Sequence, residues 1–260
     1  MSNIEFNYGN KEQVSEQEQK IKQKLEQKVK INNVSKYGSD EIYEAWADAN
    51  VFAYIGDSLV DPLHCMGLTP NMVTSLSTFF TLLSIYYLHI NNRMYASISF
   101  LVGYTLDCVD GRMARKYSMG SKIGMALDCV SDNVAVGILI SYILYTRPSS
   151  CVRNTTLLLL LIMSFLLSVS YGLNEAIISK KETGDDNFYK RRVKELEGDY
   201  GCLEKLLYKL FLLITNSSYK TYKMFFPEYN EKEIFRWLKI LKHFGPGHFT
   251  LLVSIILLYI

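Results

Sequence analysis

Apolar and polar positions are unevenly distributed along this chain. Residues 1–36 hold few apolar side chains, as in "EQEQKIKQKLEQKVKINN", and mix charges of both signs. Such a stretch reads as a solvated helix or a polar arm. From residue 38 the pattern changes. Ile42, Trp46, Ala49 and Phe52 recur at helical spacing behind Ser39–Asp40. That spacing predicts an amphipathic helix over 38–60, lying on a membrane surface or packed on the domain. Long apolar runs follow. Pro70–Asn71 marks a helix start, and Met72 to Ile90 contains no Asp, Glu, Lys or Arg. About 20 helical residues cross a bilayer core. Further runs lie at 94–106, 121–146, 155–173 and 249–260. The stretch 203–226 is apolar but carries Lys205, Lys209, Lys220 and Lys223. It reads as one more span with snorkelling lysines in preference to an interfacial helix. Residues 228–243 are amphipathic and basic. The expected fold is an all-α polytopic membrane protein with about six transmembrane helices and an amphipathic N-terminal helix. The expected divisions are 1–37, a polar arm; 38–60, a juxtamembrane helix; and 61–260, the membrane domain.

Composition adds exclusions. Of 260 residues 49% are hydrophobic despite the polar start, so apolar side chains concentrate downstream. A formal net charge of +2 gives no strong field and argues against nucleic acid as a partner. The five cysteines form no CxxC pair, so neither a disulfide framework nor a zinc site is expected. No apolar signal core opens the chain, and insertion is expected to rest on the internal segments. Lys and Arg set the orientation. Arg112, Arg115, Lys116 and Lys122 lie between the second and third runs, and Lys180, Lys181, Lys190, Arg191, Arg192 and Lys194 follow the fourth. The alternate loops hold only Arg93, Arg147 and Arg153. The expected protein is integral and multi-pass, with its N-terminus and the 107–132 region facing the cytoplasm.

The chemistry concentrates in "DCVDGRMARKYSMGSKIGMALDCVSDN", residues 107–133. Asp107 and Asp110 are three apart, and Asp128 and Asp132 four apart, so each pair shares a helix face. The connection between the pairs suits two antiparallel helices joined by a turn, which brings all four acids together. Two like charges about 5 Å apart repel by roughly 3 kcal/mol at an effective dielectric of about 20. Burial adds a desolvation penalty. Arg115 offsets one charge only. Two Mg²⁺ or Mn²⁺ ions would neutralise the four, and hard oxygen ligands suit them. Two such ions fit a phosphoryl-transfer site. Gly111 permits close backbone approach to a ligand and Arg115 offers a planar fork for phosphate, features that ion-coupled transport leaves unexplained.

Asp107-x2-Asp110-Gly111-x2-Ala114-Arg115-x8-Gly124-x3-Asp128-x3-Asp132 resembles the signature of the CDP-alcohol phosphatidyltransferase family. The resemblance covers about residues 60–260 and implies a six-helix membrane domain, working as a homodimer, with the motif across helices two and three. It implies a CDP-linked lipid and a small alcohol as substrates within membrane lipid, and loss of CMP. Asp107, Asp110, Asp128 and Asp132 would hold the metals, and Asp132 would also be the general base. Gly111, Ala114 and Arg115 would contact CDP, and Gly124 would let the helices approach. "TPNMVTSL" looks like the family's first helix start, which makes Asn71 and Thr74 candidates for the nucleotide side. Thr74 bonding its own backbone is the bland alternative. Ser121 is a phosphate contact or a helix N-cap.

The acceptor is less legible. In the family, the choline and ethanolamine branch carries a His between the last two aspartates' turns. Here "LDCVSDN" has none. That favours CDP-diacylglycerol with a soluble alcohol. Asn133 stands where members with phosphorylated acceptors place Arg or Lys. The local likeness favours inositol, then serine. Arg153, Asn174, Glu175 and residues 185–194 are candidate pocket residues without an assigned role. A non-catalytic CDP-lipid binder and a cation-coupled transporter are the competing classes.

Overall fold

The computed structural model describes residues 45–146 and 151–259, which belong to one compact unit, Asp40–Ile260. The polar arm, Ser39–Asp40 and Ile42 lie outside the described residues. Every element among the described residues is helical. A π-helical turn, Asp48–Phe52, leads into α1, Ala53–Cys65. The expected amphipathic helix therefore runs on past residue 60. Its phase also differs from a regular helix. Ala47 and Phe52 are buried, while Trp46 is half exposed. The wider π turn rotates the buried face away from the spacing that placed Trp46 on it.

The next two helices form an antiparallel hairpin, α2 (Pro70–His89) and α3 (Arg93–Lys116). Thr69 caps α2 by accepting from the Met72 N–H, with Pro70 at the first helical position. Asn92 caps α3 through the Tyr95 N–H. The hairpin is close-packed at Gly103. A Cβ there would stand 2.7 Å from Thr81 Oγ1 and 3.1 Å from the Ser77 carbonyl oxygen. A tight turn through Ser118, with φ of 54°, reverses the chain into α4, Lys122–Thr146.

After α4 come α5 (Cys151–Thr183), the short α6 (Phe188–Glu195), α7 (Cys202–Phe225), α8 (Glu231–Leu241) and α9 (Pro246–Tyr259). Among the described residues, three segments are long and apolar enough to cross a membrane: Lys122–Thr146, Arg153–Thr183 and Glu231–Tyr259. One core joins the far ends of the bundle, where Leu88, Phe100, Leu139, Leu160 and Val253 meet. A second joins Val73, Leu106 and Met113 of the hairpin to Val60 of α1.

α7 departs from the expected span. Its first half packs Tyr208 and Phe211 on Ala126 and Val130, at the start of α4. Its second half packs Tyr222 with Leu173 and Ile177, towards the end of α5. The last turn of α7 reaches the middle of α5, where Phe225 meets Phe165 edge-on at 5.5 Å, and α7 is not among the described helices apolar enough to cross a membrane. The lysines that looked like snorkelling ends belong to an amphipathic helix.

The glycine at 103 supplies a stability test. Gly103→Ala is expected to cost about 1–3 kcal/mol through overpacking against the α2 backbone, seen as a lower thermal midpoint in detergent. Gly137→Ala, with open space around its Cβ position, is expected to leave the midpoint unchanged or raise it.

Candidate active site

The α3–α4 turn gathers the acids. Asp107 and Asp110 sit one turn apart on α3, and Asp128 on α4 faces them. Carboxylate oxygens of the three lie within 4.8 Å of one another. Asp132, one turn further along α4, is exposed and within electrostatic reach of Asp107 and Asp110. The four acids of the motif are therefore neighbours, and Asp132 stands at the solvent edge.

The support for Asp110 comes from α2. Asp110 is 4% exposed, and Thr74 Oγ1 lies 2.5 Å from its Oδ2. The same hydroxyl lies 3.1 Å from the Pro70 carbonyl oxygen. Thr74 thus takes up the backbone bond considered from sequence and also touches a carboxylate, an arrangement that sequence alone did not suggest. Asn71 sits one turn earlier. A Cβ on Gly124 would lie 2.7 Å from Asn71 Oδ1 and 2.9 Å from Ser121 Oγ. Glycine at 124 is what lets α4 come this close to α2. Ser121 itself accepts from the Gly124 N–H at 3.0 Å, the bond of an N-cap.

On α3, Arg115 folds back along its own helix. A Cβ on Gly111 would be 3.2 Å from Arg115 Nη1, so the guanidinium lies over Gly111. The Ala114 carbonyl accepts from the Met119 N–H and helps close the turn. The outer face of the same stretch is clamped by α1. Arg112 pairs with Asp57 at 2.7 Å, Lys116 with Asp61 at 2.5 Å, and Tyr117 donates to Asp61 at 2.8 Å. Hydrogen bonds from Lys116 and then Tyr117 hold the Asp61 carboxyl below its ordinary range. The matched four-residue spacing of 57/61 and 112/116 was a signal the sequence reading passed over.

The opposite wall is built by α5 and α6. Glu175, 3% exposed, pairs with Arg191 at 2.5 Å and Arg192 at 3.1 Å. Glu182 and Glu195 take up further donors of these arginines. Arg192 Nη1 also reaches Met125 Sδ, on the turn of α4 before Asp128. Removing one partner of such a buried pair typically costs 3–5 kcal/mol, roughly, because a charge is left uncompensated. Beside Glu175, the Asn174 Oδ1 is buried without a hydrogen-bond partner. Arg153, by contrast, lies near the other end of α5, far along the helix from this wall.

The residues fit a divalent cation. Asp107 Oδ1 is buried and makes no hydrogen bond, although a carboxylate oxygen there needs a positive partner. The donor set is all carboxylate oxygen, which suits Mg²⁺ or Mn²⁺. Asp107, Asp110 and Asp128 are the residues that would hold it.

Support from behind a ligand is usually worth about 10–100-fold in metal affinity. Thr74→Val is therefore expected to weaken Mn²⁺ binding by about that factor, and Asp107→Asn by more. Titration of the purified protein followed by electron paramagnetic resonance of free Mn²⁺ reads both. Unchanged affinity in Asp107→Asn would remove this cluster as a metal site.

Comparisons with known proteins address the same segment. Residues 67–190 match the profile of CDP-alcohol phosphatidyltransferase. The chain is 35% identical over 108 residues to "Archaetidylinositol phosphate synthase" of Pyrococcus horikoshii, covering 42% of this chain and 56% of that protein. It is 34% identical over 84 residues to "CDP-diacylglycerol--serine O-phosphatidyltransferase" of Helicobacter pylori, covering 32% and 35%. It is 32% identical over 93 residues to "CDP-diacylglycerol--inositol 3-phosphatidyltransferase" of Saccharomyces cerevisiae, covering 34% and 42%. The matches thus span about half or less of these relatives' length. No solved structure matches the chain. The aspartate cluster, the glycine that closes α4 onto α2 and the profile match fall on one segment, residues 67–190, which is similar to the CDP-alcohol phosphatidyltransferase family.

Proposed function

We propose that this protein is an integral-membrane phosphatidyltransferase. It moves a phosphatidyl group from CDP-diacylglycerol to a small hydroxyl acceptor and releases CMP, with inositol the favoured acceptor and serine the second. The observation that carries this reading is the cluster of Asp107, Asp110 and Asp128, within 4.8 Å at a helix–helix turn. The names of the relatives, which act on inositol and serine or make an inositol phosphate lipid, support the choice of acceptors.

Each side of the site has its part. Two divalent ions held by the aspartates would bind the pyrophosphate oxygens and stabilise charge as the phosphorus–oxygen bond breaks. Arg115 over Gly111 presents a planar fork to the phosphates of CDP. Asn71 and Ser121, beside Gly124, line the nucleotide side. Thr74 holds Asp110 in place. From Asn71 an apolar groove of about 560 Å³ runs along α2 past Met72 and Phe79 to Leu127. Its lining suits the acyl chains of a lipid-linked donor. On the α5–α6 wall, the free Asn174 Oδ1 can accept a hydrogen bond from an acceptor hydroxyl. Arg191 and Arg192 are occupied by Glu175, Glu182 and Glu195, which suits an acceptor without a phosphate. The attacking hydroxyl passes its proton to Asp132. Its oxygen bonds to the phosphorus bearing the lipid, and CMP departs with the electrons of the broken bond.

Membrane placement follows the charges. The α3–α4 turn and the end of α5 carry the Lys and Arg clusters, and both lie at the site end of the bundle. This puts the site and the N-terminus towards the cytoplasm. In this reading the membrane domain covers residues 61–260. The family likeness adds a homodimer.

The test is CMP release by the purified protein in detergent, with CDP-diacylglycerol, Mg²⁺ or Mn²⁺, and a panel of inositol, serine, glycerol 3-phosphate and inositol phosphate. Metal-dependent release with inositol is expected. Release only from CDP-choline or CDP-ethanolamine with diacylglycerol would replace the proposed donor, and CDP-lipid binding without any release would make the protein a binder. Asp132→Asn is expected to lower turnover by about 10²–10⁴ while Mn²⁺ and CDP-lipid still bind. Asn174→Ala is expected to raise the acceptor KM with kcat and metal affinity little changed, as steady-state kinetics would show.

A further inference from the structure

The reading so far leaves α8 without a role, yet its surface is organised in three strips. Ile234, Leu238 and Leu241 are buried and pack on the end of α5. Trp237 and Ile240, with Phe244 in the turn beyond, recur at three- and four-residue spacing and are 44%, 50% and 39% exposed. Lys232, Arg236, Lys239 and His243 form a third row at the same spacing, all exposed. At 100° per residue the exposed apolar strip lies between the buried strip and the basic row. Residues 231–244 hold four Lys or Arg, at 232, 236, 239 and 242, against two carboxylates, Glu231 and Glu233.

The neighbouring helix fixes the setting. α8 passes through Gly245 directly into α9, within the segment Glu231–Tyr259 that is apolar enough to enter a membrane. α9 has 14 residues. It contains no Asp, Glu, Lys or Arg, whereas α8 and the turn after it hold Lys232, Arg236, Lys239 and Lys242, which are costly to place in hydrocarbon. The boundary between hydrocarbon and water therefore falls at or near α8. A helix at that boundary, with an aromatic and aliphatic strip on one flank and a basic row on the next, has the chemistry of an interfacial helix on anionic lipid.

We infer that α8 is an anionic-lipid contact. Trp237, Ile240 and Phe244 dip below the headgroups, and Lys232, Arg236 and Lys239 engage the phosphates of negatively charged lipids. This surface does not depend on the acceptor or on turnover. Each basic side chain near an anionic surface strengthens attachment about fivefold.

The test uses the full chain carrying Trp46→Phe, which leaves Trp237 as the one tryptophan. The protein is reconstituted in phosphatidylcholine vesicles containing either brominated phosphatidylglycerol or brominated phosphatidylcholine in equal amount. Trp237 fluorescence should be quenched by both and severalfold more effectively by the anionic lipid. The excess should vanish at high salt and in the triple variant Lys232→Gln, Arg236→Gln, Lys239→Gln. These side chains are exposed, so the fold is expected to persist, and unchanged Mn²⁺ affinity checks it. Equal quenching by the two lipids at low salt would overturn the anionic preference. Absence of quenching would overturn the membrane contact itself. Absence of quenching together with efficient disulfide cross-linking of Trp237→Cys between two copies would assign the strip to a second chain.

Discussion

Like charges at close range are the constraint around which this protein is arranged. Asp107, Asp110 and Asp128 bring oxygens within 4.8 Å of each other, with Asp132 near by. At about 5 Å and an effective dielectric of about 20, each pair repels by roughly 3 kcal/mol. The fold has to impose that proximity, since the acids alone would move apart. Three features impose it. The short α3–α4 turn limits how far the two helix ends can separate. Gly103 and Gly124 let α2 approach α3 and α4 more closely than any side chain would permit. Thr74 then meets Asp110 from α2, while Asp57 and Asp61 of α1 hold the outer face of α3 through Arg112 and Lys116. Relief of the repulsion that the packing has already created would add to the affinity for a divalent cation here.

The same constraint divides the site into two sides. α2, α3 and the start of α4 form a wall with hydroxyl, amide and guanidinium groups close to the acids, and an apolar groove leads away from it. α5 and α6 form the other wall, where Glu175 fixes two arginines. A buried ion network of this kind gives little net stability but a well-defined geometry, because breaking any one pair is costly. Arg192 carries that geometry across to Met125, one turn from Asp128. The network thus sets the position of α6 against α4, and with it the width of the space beside Asp132.

The legible parts of this protein were those fixed by local spacing. The i,i+3 and i,i+4 relations of the acids follow from helix geometry, which a sequence displays directly; Ser121 was open between a cap and a phosphate contact, and glycine at 124 was expected only from the family resemblance. The contact between Thr74 and Asp110 joins residues 36 apart in sequence, and nothing near Thr74 advertises its partner. Glu175 and residues 185–194 stood out as candidate pocket residues, but the pairing of Glu175 with Arg191 and Arg192, 16 and 17 residues on, has no local signal in the sequence. The paired spacing of 57/61 and 112/116 was present in the sequence, yet only the packing of α1 on α3 gives it meaning. Trp46 was misplaced because a π turn changes the helical phase, and apolar spacing at 3.6 residues per turn cannot register that.

α7 shows how composition and placement separate. It is long enough to cross a membrane but not apolar enough, and Tyr208, Phe211 and Tyr222 are buried against α4 and α5. α7 packs along both helices, and α9 runs into the core at Leu88 and Phe100. Gly247 is tied back by its N–H to Asp48, which also accepts from Tyr104, one turn before Asp107 on α3. The C-terminal helix is in this way connected to the helix that carries the first two acids.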